Sequence, residues 1–237
     1  MNLNKRDCGI KIRLVPYGGG WTDVYADFGE GELYFIISDV MGKSFETLMK
    51  VLYHLYPDNR DPENADEFVE YKCGICEHID GKYVVTRIVD DTKDEDFPAV
   101  IRDIPWKASF TWDEEGSYSN WTLERVPNED TSFKLKITID VCRGETKHYE
   151  YEVPYEDMCY AVAAACTAAI KKHGFWGYHY ATYTEDMNVR YLLFLKSIGL
   201  GNTEARELTF YDEKGQGETG CFDKEMELLL FDIIPIE

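Results

Sequence analysis

The side chains that could carry out acid–base chemistry lie close together in one stretch of the sequence, from Tyr178 to Asp186. The groups of interest are Tyr178, His179, Tyr180, Glu185 and Asp186. A histidine oriented by a carboxylate is a common general base, and tyrosines can stack on a ligand or donate a proton. The stretch therefore predicts one candidate site for a small-molecule substrate.

The same stretch also has a structural interpretation. Thr182 and Glu185 have the spacing of a capping box, and Asp186 favours the start of a helix. Aromatic residues that follow a helix commonly cover the edge of a core. We favour this interpretation, so we assign no catalytic residue and keep the enzyme as the alternative function.

Two shorter motifs are similar to ligand sites but lack required residues. Gly42–Ser44 ends like a phosphate-binding loop, yet that pattern needs a glycine five residues earlier, where the sequence has Ile37. Cys73, Cys76 and His78 offer three metal ligands, whereas a structural zinc site needs four. The sequence therefore predicts no cofactor and no metal.

The charge gives the main indication of function. The 237 residues include 25 Lys+Arg and 45 Asp+Glu, a formal net charge of −20. A nucleic-acid binder needs cations to displace counterions from phosphates, so we predict no nucleic-acid partner. With 44% hydrophobic residues the chain can still fold, and its negative field would speed encounter with cationic proteins. The composition therefore predicts a basic protein partner.

The apolar and cysteine content bears on the compartment. No stretch approaches the ~18 consecutive apolar residues of a membrane helix, and no apolar segment follows the basic pair near the start. The seven cysteines are odd in number and lie mostly within predicted strands and helices. We therefore expect a cytoplasmic protein with no membrane association and no obligatory disulfide.

An acidic turn supplies the second group of candidate binding residues. Asp113–Glu115 separate two strand patterns, and Tyr118 begins the second strand. Aromatic side chains anchor interfaces and charges orient them, so this turn and the linker Asp90–Asp96 are candidate contacts. With the earlier stretch, the candidate binding residues are Asp113, Glu114, Glu115, Tyr118, Tyr178, His179, Tyr180 and Asp186.

Alternating apolar and polar residues predict the strands that carry these turns. The clearest hairpins are Trp21–Phe28 with Leu33–Ser38, Trp106–Trp112 with Tyr118–Arg125, and Phe133–Val141 with His148–Val153. Weaker candidates are Ile10–Val15 and the pair Glu70–Glu77 with Tyr83–Val89. Predicted helices run from Phe45 to Leu55 after Ser44, from Pro154 to a stop at Gly174, and from about Asp186 to Ile198. The segment Met226–Ile234 fits either a strand or a helix.

These elements predict an α+β fold, with mostly antiparallel sheets packed with about three helices. A hairpin followed by a helix occurs twice, as Trp21–Tyr56 and Trp112–His173, which suggests two β-β-α units. The length fits a single compact domain over residues 1–237, or two intimately packed halves of about 1–100 and 101–237.

Several segments resemble sequences of uncharacterised bacterial acidic α+β proteins. They are Gly20–Val24, Gly31–Ser38, Phe45–Leu52, Trp112–Gly116 and Trp121–Arg125. Some of those proteins resemble small acidic immunity proteins of toxin systems. The resemblance covers roughly residues 10–173, and because the shared motifs are structural it implies no activity and no functional residue.

Three functions follow from these observations. The first is an acidic protein-binding module, such as an immunity or inhibitor protein that neutralises a basic partner. The second is a small-molecule enzyme that uses the Tyr178–Asp186 loop. The third is an assembly domain whose charge only maintains solubility. We predict the first.

Overall fold

The computed structural model describes residues 8–38, 45–56, 69–79, 82–89, 100–126, 133–182, 189–201, 209–211 and 218–220, together with residues 226 and 229. Only the backbone is described at residues 73–79, 82–89, 100–103, 175–176, 179–182, 209–211 and 218–220. Within this part of the chain the fold is α+β, with antiparallel sheets and three helices. The predicted fold class is therefore confirmed.

The first sheet consists of three consecutive antiparallel strands, β1 (Lys11–Gly18), β2 (Trp21–Asp27) and β3 (Glu32–Ser38). The predicted turn between β2 and β3 contains Gly29 and Gly31, both at positive φ. Asp27 Oδ1 accepts hydrogen bonds from both glycine amides, at 2.8 and 3.2 Å. Glycine adopts positive φ without a steric penalty, which explains why the chain reverses here. The inner face of this sheet buries Ile12, Leu14, Val24, Ala26, Phe35 and Ile37.

A long helix, α2 (Tyr155–Thr182), packs against the beginning of the chain. It starts directly after Pro154, as predicted, and acidic Glu156 and Asp157 in its first turn complement the helix dipole. Cys8 Sγ donates to the carbonyl oxygen of Asp157 at 3.3 Å. Small side chains such as Ala161 and Ala164 of α2 line a narrow cavity with Ile12. Helix α3 (Val189–Gly199) follows and ends within one residue of the predicted Ile198, whereas the predicted start at about Asp186 lies outside the described residues.

Gly174 interrupts α2, as predicted, but the prediction of a loop directly after it is wrong. Gly174 does leave the helical conformation, with φ 68° and ψ 165°, as glycine often does at a helix end. The chain resumes helical structure directly afterwards and continues to Thr182. Residues Tyr178–Thr182, predicted as part of a loop joining two helices, are therefore helical. One residue at positive φ kinks the chain without preventing a second helix.

The second sheet has six antiparallel strands in the order β5-β4-β6-β7-β8-β9. The strands are β4 (Val69–Ile79), β5 (Lys82–Val89), β6 (Val100–Asp113), β7 (Tyr118–Val126), β8 (Lys134–Arg143) and β9 (Glu145–Pro154). The predicted hairpins occur as consecutive pairs, and the alternation in β8 is confirmed, because Leu135, Ile137 and Ile139 are fully buried. Trp112 and Trp121 pack beside them, with ring centroids 4.8 Å apart.

Helix α1 (Phe45–Leu55) has the predicted apolar face, with Phe45, Leu48, Met49, Leu52 and Leu55 all buried. Tyr155 Oη donates to the carbonyl oxygen of Leu52 at 2.7 Å, and the Tyr155 ring stacks on Phe133 at 4.2 Å between centroids. The predicted cap Ser44 and stop Pro57 lie outside the described residues.

The chain divides into two compact units, one of residues 1–49 with 156–237 and one of residues 50–155. The first contains the three-stranded sheet and also β10 (Thr209–Tyr211) and β11 (Glu218–Gly220), a short pair that the sequence patterns did not predict. A hairpin precedes a helix as β2-β3-α1, as expected, and as β8-β9-α2. The hairpin with the turn at residues 113–116 is β6-β7, which is followed by β8 and not by a helix. Whether the chain forms one domain or two intimately packed halves stays a prediction.

Candidate functional site

The acidic turn between β6 and β7 is held by a salt bridge from the neighbouring turn. Arg143 Nε donates to Glu114 Oε2 at 2.7 Å, and Arg143 Nη2 donates to Oε1 at 2.9 Å. Ser117 Oγ also donates to Oε2, at 3.0 Å. The Glu114 side chain is only 1% exposed. This carboxylate, a predicted partner contact, is thus enclosed in an internal salt bridge.

The other predicted residues of this turn have different surroundings. Asp113 is partly buried, and its Oδ1 accepts the Glu115 amide at 2.8 Å, as in an Asx turn. Glu115 is exposed, with φ 53°. Tyr118 is 44% exposed, and its hydrogen bond with Cys142 raises its pKa above the ordinary value of 10.0. Glu115 and Tyr118 are therefore the two residues of this group that a partner reaches most easily.

Tyr178 lies in the helical core, where it is 2% exposed. It hydrogen-bonds Cys166, whose pKa is raised to about 12 by burial, and Tyr178 partly offsets that rise. Burial lowers the pKa of Lys196 to about 8, and Lys196 Nζ donates to the carbonyl oxygen of Leu229 at 3.1 Å. A thiol with so high a pKa stays protonated at neutral pH and is a poor nucleophile. These groups are therefore arranged as a buried polar cluster of the core.

The remaining candidates of the Tyr178–Asp186 stretch are not placed by the structure. The side chains of His179 and Tyr180, and all of Asp186, lie outside the described residues. An oriented histidine base therefore stays a prediction. Tyr178 itself offers no exposed ring on which a ligand could stack.

The outer face of the six-stranded sheet carries polar groups that pair with one another. Hydrogen bonds or ion pairs join Lys134 to Glu152 at 2.7 Å, Lys136 to Glu150 at 2.9 Å, His148 to Asp140 at 2.7 Å and Thr111 to Asn120 at 2.7 Å. Cross-strand pairs of this kind stabilise a sheet and keep the face solvated. This face therefore has a structural explanation.

The outer face of the three-stranded sheet is different in kind. It carries Val15, Tyr17, Trp21, Asp23, Tyr25, Tyr34 and Ile36, which we call the tyrosine face. The charged residues Lys11, Arg13, Asp27 and Glu32 lie on the same side of the sheet, at one end. Tyr17 is 57% exposed and Tyr34 is 38% exposed, which places both among the most exposed large hydrophobic side chains of the described residues. Contiguous exposed apolar surface of this kind commonly marks an interaction site.

Asp23 lies in the middle of the tyrosine face. The strand register places it between Val15 and Ile36, and Tyr34 Oη donates to Asp23 Oδ1 at 2.9 Å. Partial burial and this hydrogen bond raise the pKa of Tyr34 to about 12. Partial burial and the negative charge of Asp23 also raise the pKa of Tyr17. Both phenols are therefore neutral hydrogen-bond donors beside one carboxylate.

An arginine of the chain already stacks at one end of this face. The Arg13 guanidinium lies 3.7 Å from the centroid of the Tyr25 ring, and its Nη2 is 3.8 Å from Glu32 Oε2. The Tyr25 and Tyr34 rings are 5.2 Å apart and tilted by 40°. Rings in such an arrangement attract planar cations, and a nearby carboxylate accepts their hydrogen bonds. The face can thus bind a guanidinium or ammonium group.

The sequence argument did not identify this face, although β2 contains a signal for it. Val24 and Ala26 occupy one set of alternate positions, and Trp21 and Tyr25 occupy the other. A strand with one solvated face normally shows polar residues at every second position. Aromatic residues at the positions that alternate with Val24 and Ala26 therefore indicate a strand whose outer face is also partly apolar.

The described ranges contain neither a cluster of metal ligands nor a helix suited to a membrane. No group of three or more His, Cys, Asp or Glu there is close enough to hold a metal ion, and no helix there has the length and hydropathy to cross a membrane. The chain matches no protein-family model, and comparison with curated proteins and with solved structures also gave no match. The resemblance to immunity proteins and the cytoplasmic location therefore stay predictions.

Proposed function

We propose that this protein binds a basic protein and neutralises it, as an inhibitor or immunity protein does. The observation that carries this proposal is where the charge lies along the chain. Two acidic linkers, the first at residues 58–67 and the second at residues 90–96, together hold ten Asp+Glu and two Lys+Arg. They contribute −8 of the net charge of −20.

The described elements, by contrast, largely balance their own charges. Ion pairs join Arg13 to Glu32, Lys107 to Glu70, Lys134 to Glu152, Lys136 to Glu150 and Arg143 to Glu114. A negative field of this strength accelerates association with a cationic protein and repels anionic ones.

Two other functions compete with this proposal. A domain whose acidity serves only solubility would show the same net charge but no specific basic partner. A small-molecule enzyme built on Tyr178–Asp186 gains no support from the described residues, because Tyr178 is buried. The experiment must therefore detect a partner and measure how its association depends on charge.

Basic proteins are first captured on the immobilised chain at about 50 mM NaCl. The association rate of a captured protein is then measured at NaCl concentrations up to about 500 mM, where the Debye length is several-fold shorter. We expect the association rate to fall by about ten-fold or more over this range, while the dissociation rate changes little. Failure to capture a basic protein, or an association rate that is indifferent to salt, would contradict the proposal.

Matched variants show whether the whole field is responsible. One variant replaces the acids of the second linker by their amides, at Asp90, Asp91, Asp94, Glu95 and Asp96. The other replaces the same number in the first linker, at Asp58, Asp61, Glu63, Asp66 and Glu67. Long-range steering predicts similar slowing of association in both, because each removes the same charge.

A further inference from the structure

We propose that the tyrosine face is the docking surface and that it takes an arginine-bearing segment of the basic partner, with the guanidinium hydrogen-bonded to Asp23 and stacked on the adjacent tyrosine rings. This inference rests on the proposed function, since it names the surface that such a partner would occupy. Three features support it: the exposure of the tyrosine face, the carboxylate of Asp23, and the pairing of the carboxylates on other surfaces.

The tyrosine face presents large side chains to solvent. Tyr17 and Tyr34 are 57% and 38% exposed, and the neighbouring Val15, Trp21 and Ile36 are only partly covered. Interfaces are enriched in tyrosine and tryptophan, and this face holds three tyrosines and one tryptophan around Asp23. Covering these rings would release water from apolar surface that the isolated chain leaves wet.

The carboxylate of Asp23 can accept a further hydrogen bond. Asp23 Oδ1 accepts from Tyr34, and none of the described residues is hydrogen-bonded to the other oxygen, Oδ2. A partner cation can therefore add a charge-assisted hydrogen bond without displacing an existing one. Arg13 on the Tyr25 ring, at 3.7 Å, shows that a guanidinium stacks on a tyrosine of this face. Arginine fits better than lysine because its planar group can stack and donate to a carboxylate at once.

The carboxylates at the acidic turn and on the six-stranded sheet are less suited to a partner cation. At the acidic turn, both oxygens of Glu114 are engaged by Arg143. On the outer face of the six-stranded sheet, Asp140 accepts from His148 at 2.7 Å, and the lysines there pair with glutamates. A partner cation that binds these carboxylates would have to compete with the pairs they already form. The tyrosine face requires no such exchange at Asp23 Oδ2.

The experiment follows backbone NMR shifts of the full chain while a single-arginine probe is added at about 150 mM NaCl, where long-range attraction is screened. The probe is the pentapeptide acetyl-Val-Thr-Arg-Thr-Val-amide, and the matched probes carry lysine or the neutral citrulline in place of arginine. We expect shifts in β1, β2 and β3 with arginine, weaker shifts with lysine and none with citrulline. Asp23→Asn should weaken binding by about ten-fold, and Tyr17→Ser by roughly three-fold.

Two control variants match these changes elsewhere in the fold. Asp140→Asn removes the same charge from the six-stranded sheet, and Tyr71→Ser removes a tyrosine that is 38% exposed. We expect either control to change the probe affinity by less than about two-fold. Thermal melting of each variant checks that it remains folded.

The outcomes separate this inference from the proposed function. Shifts centred on Tyr118, or equal weakening by Asp23→Asn and Asp140→Asn, would overturn the tyrosine face as the docking surface and leave the proposed function standing. Identical shifts with arginine and citrulline would overturn the arginine contact. Failure of the proposed function appears instead in the capture experiment, as the lack of a basic partner whose association depends on salt.

Discussion

Replacing Glu114 by glutamine tests whether the acidic turn stabilises the sheet or serves binding. The Glu114 carboxylate is 1% exposed and accepts two hydrogen bonds from Arg143, at 2.7 and 2.9 Å. A third comes from Ser117 Oγ at 3.0 Å. Glu114→Gln removes the charge and turns an amide donor toward the guanidinium. We therefore expect the variant to lose stability.

The size of the loss follows from these contacts. Hydrogen bonds to charged groups contribute about 1.5–3 kcal/mol each. Arg143 is 37% exposed, so it regains water when its partner is removed, and we discount the sum by roughly half. The expected loss is about 2–4.5 kcal/mol of unfolding free energy, which lowers the Tm by about 4–18 °C in a chain of this size.

Urea unfolding followed by tryptophan fluorescence measures this loss. Trp112 and Trp121 are fully buried in the same sheet and report on its packing. The matched control is Glu150→Gln, since Glu150 pairs with Lys136 at 2.9 Å but is 50% exposed. Exposed pairs contribute little, so the control should lose clearly less stability than Glu114→Gln. Equal losses in the two variants, or lost partner binding with unchanged stability in Glu114→Gln, would refute the structural role.

Three further predictions concern other described residues. The hydrogen bond to Asp140 raises the pKa of His148, so its NMR titration midpoint should lie above about 6.5 and fall in Asp140→Asn. Because the folded pKa is raised, this contact stabilises the fold below the unfolded pKa and is lost as pH rises through the folded one. Gly199→Ala should cost about 2 kcal/mol or more by calorimetry, because the added Cβ would lie 2.6 Å from Tyr160 Cα, whereas Gly9→Ala meets nothing within 4 Å. Lys196, with a pKa lowered to about 8, disfavours the folded state while charged, so wild-type stability should rise by about 1 kcal/mol from pH 8 to pH 9 relative to Lys196→Met. Measurements should stop near pH 9, since the raised pKa of Cys166 acts in the opposite direction above it.

The strands could be predicted from sequence where one face is buried and the other is solvated. In β8, Leu135, Ile137 and Ile139 alternate with polar residues, and a shift of register by one residue would expose the whole apolar set. Such alternation is visible in the sequence because burial imposes it at each position. The start of α2 was predictable for a similar local reason, since Pro154 precedes acidic residues in its first turn.

Contacts between residues far apart in the sequence were less accessible to sequence reasoning. Glu114 and Arg143 are 29 residues apart, and only the pairing of β7 with β8 places their turns side by side. No local pattern indicates that one acid of the turn is paired and the next one exposed. The kink at Gly174 posed a related difficulty, because a glycine that ends one helix carries no sign of the helix that follows.

Negative charge by itself explains a high association rate with basic proteins. It does not explain selectivity for one of them. Its attraction falls off over about 8–10 Å at physiological salt and acts on every cationic surface. Selection among basic proteins needs groups of fixed geometry, and the tyrosine face holds such groups around Asp23. The two features should therefore separate kinetically. Neutralising the acidic linkers should lower the association rate, whereas Asp23→Asn and Tyr17→Ser should mainly raise the dissociation rate, because short-range contacts form only after encounter.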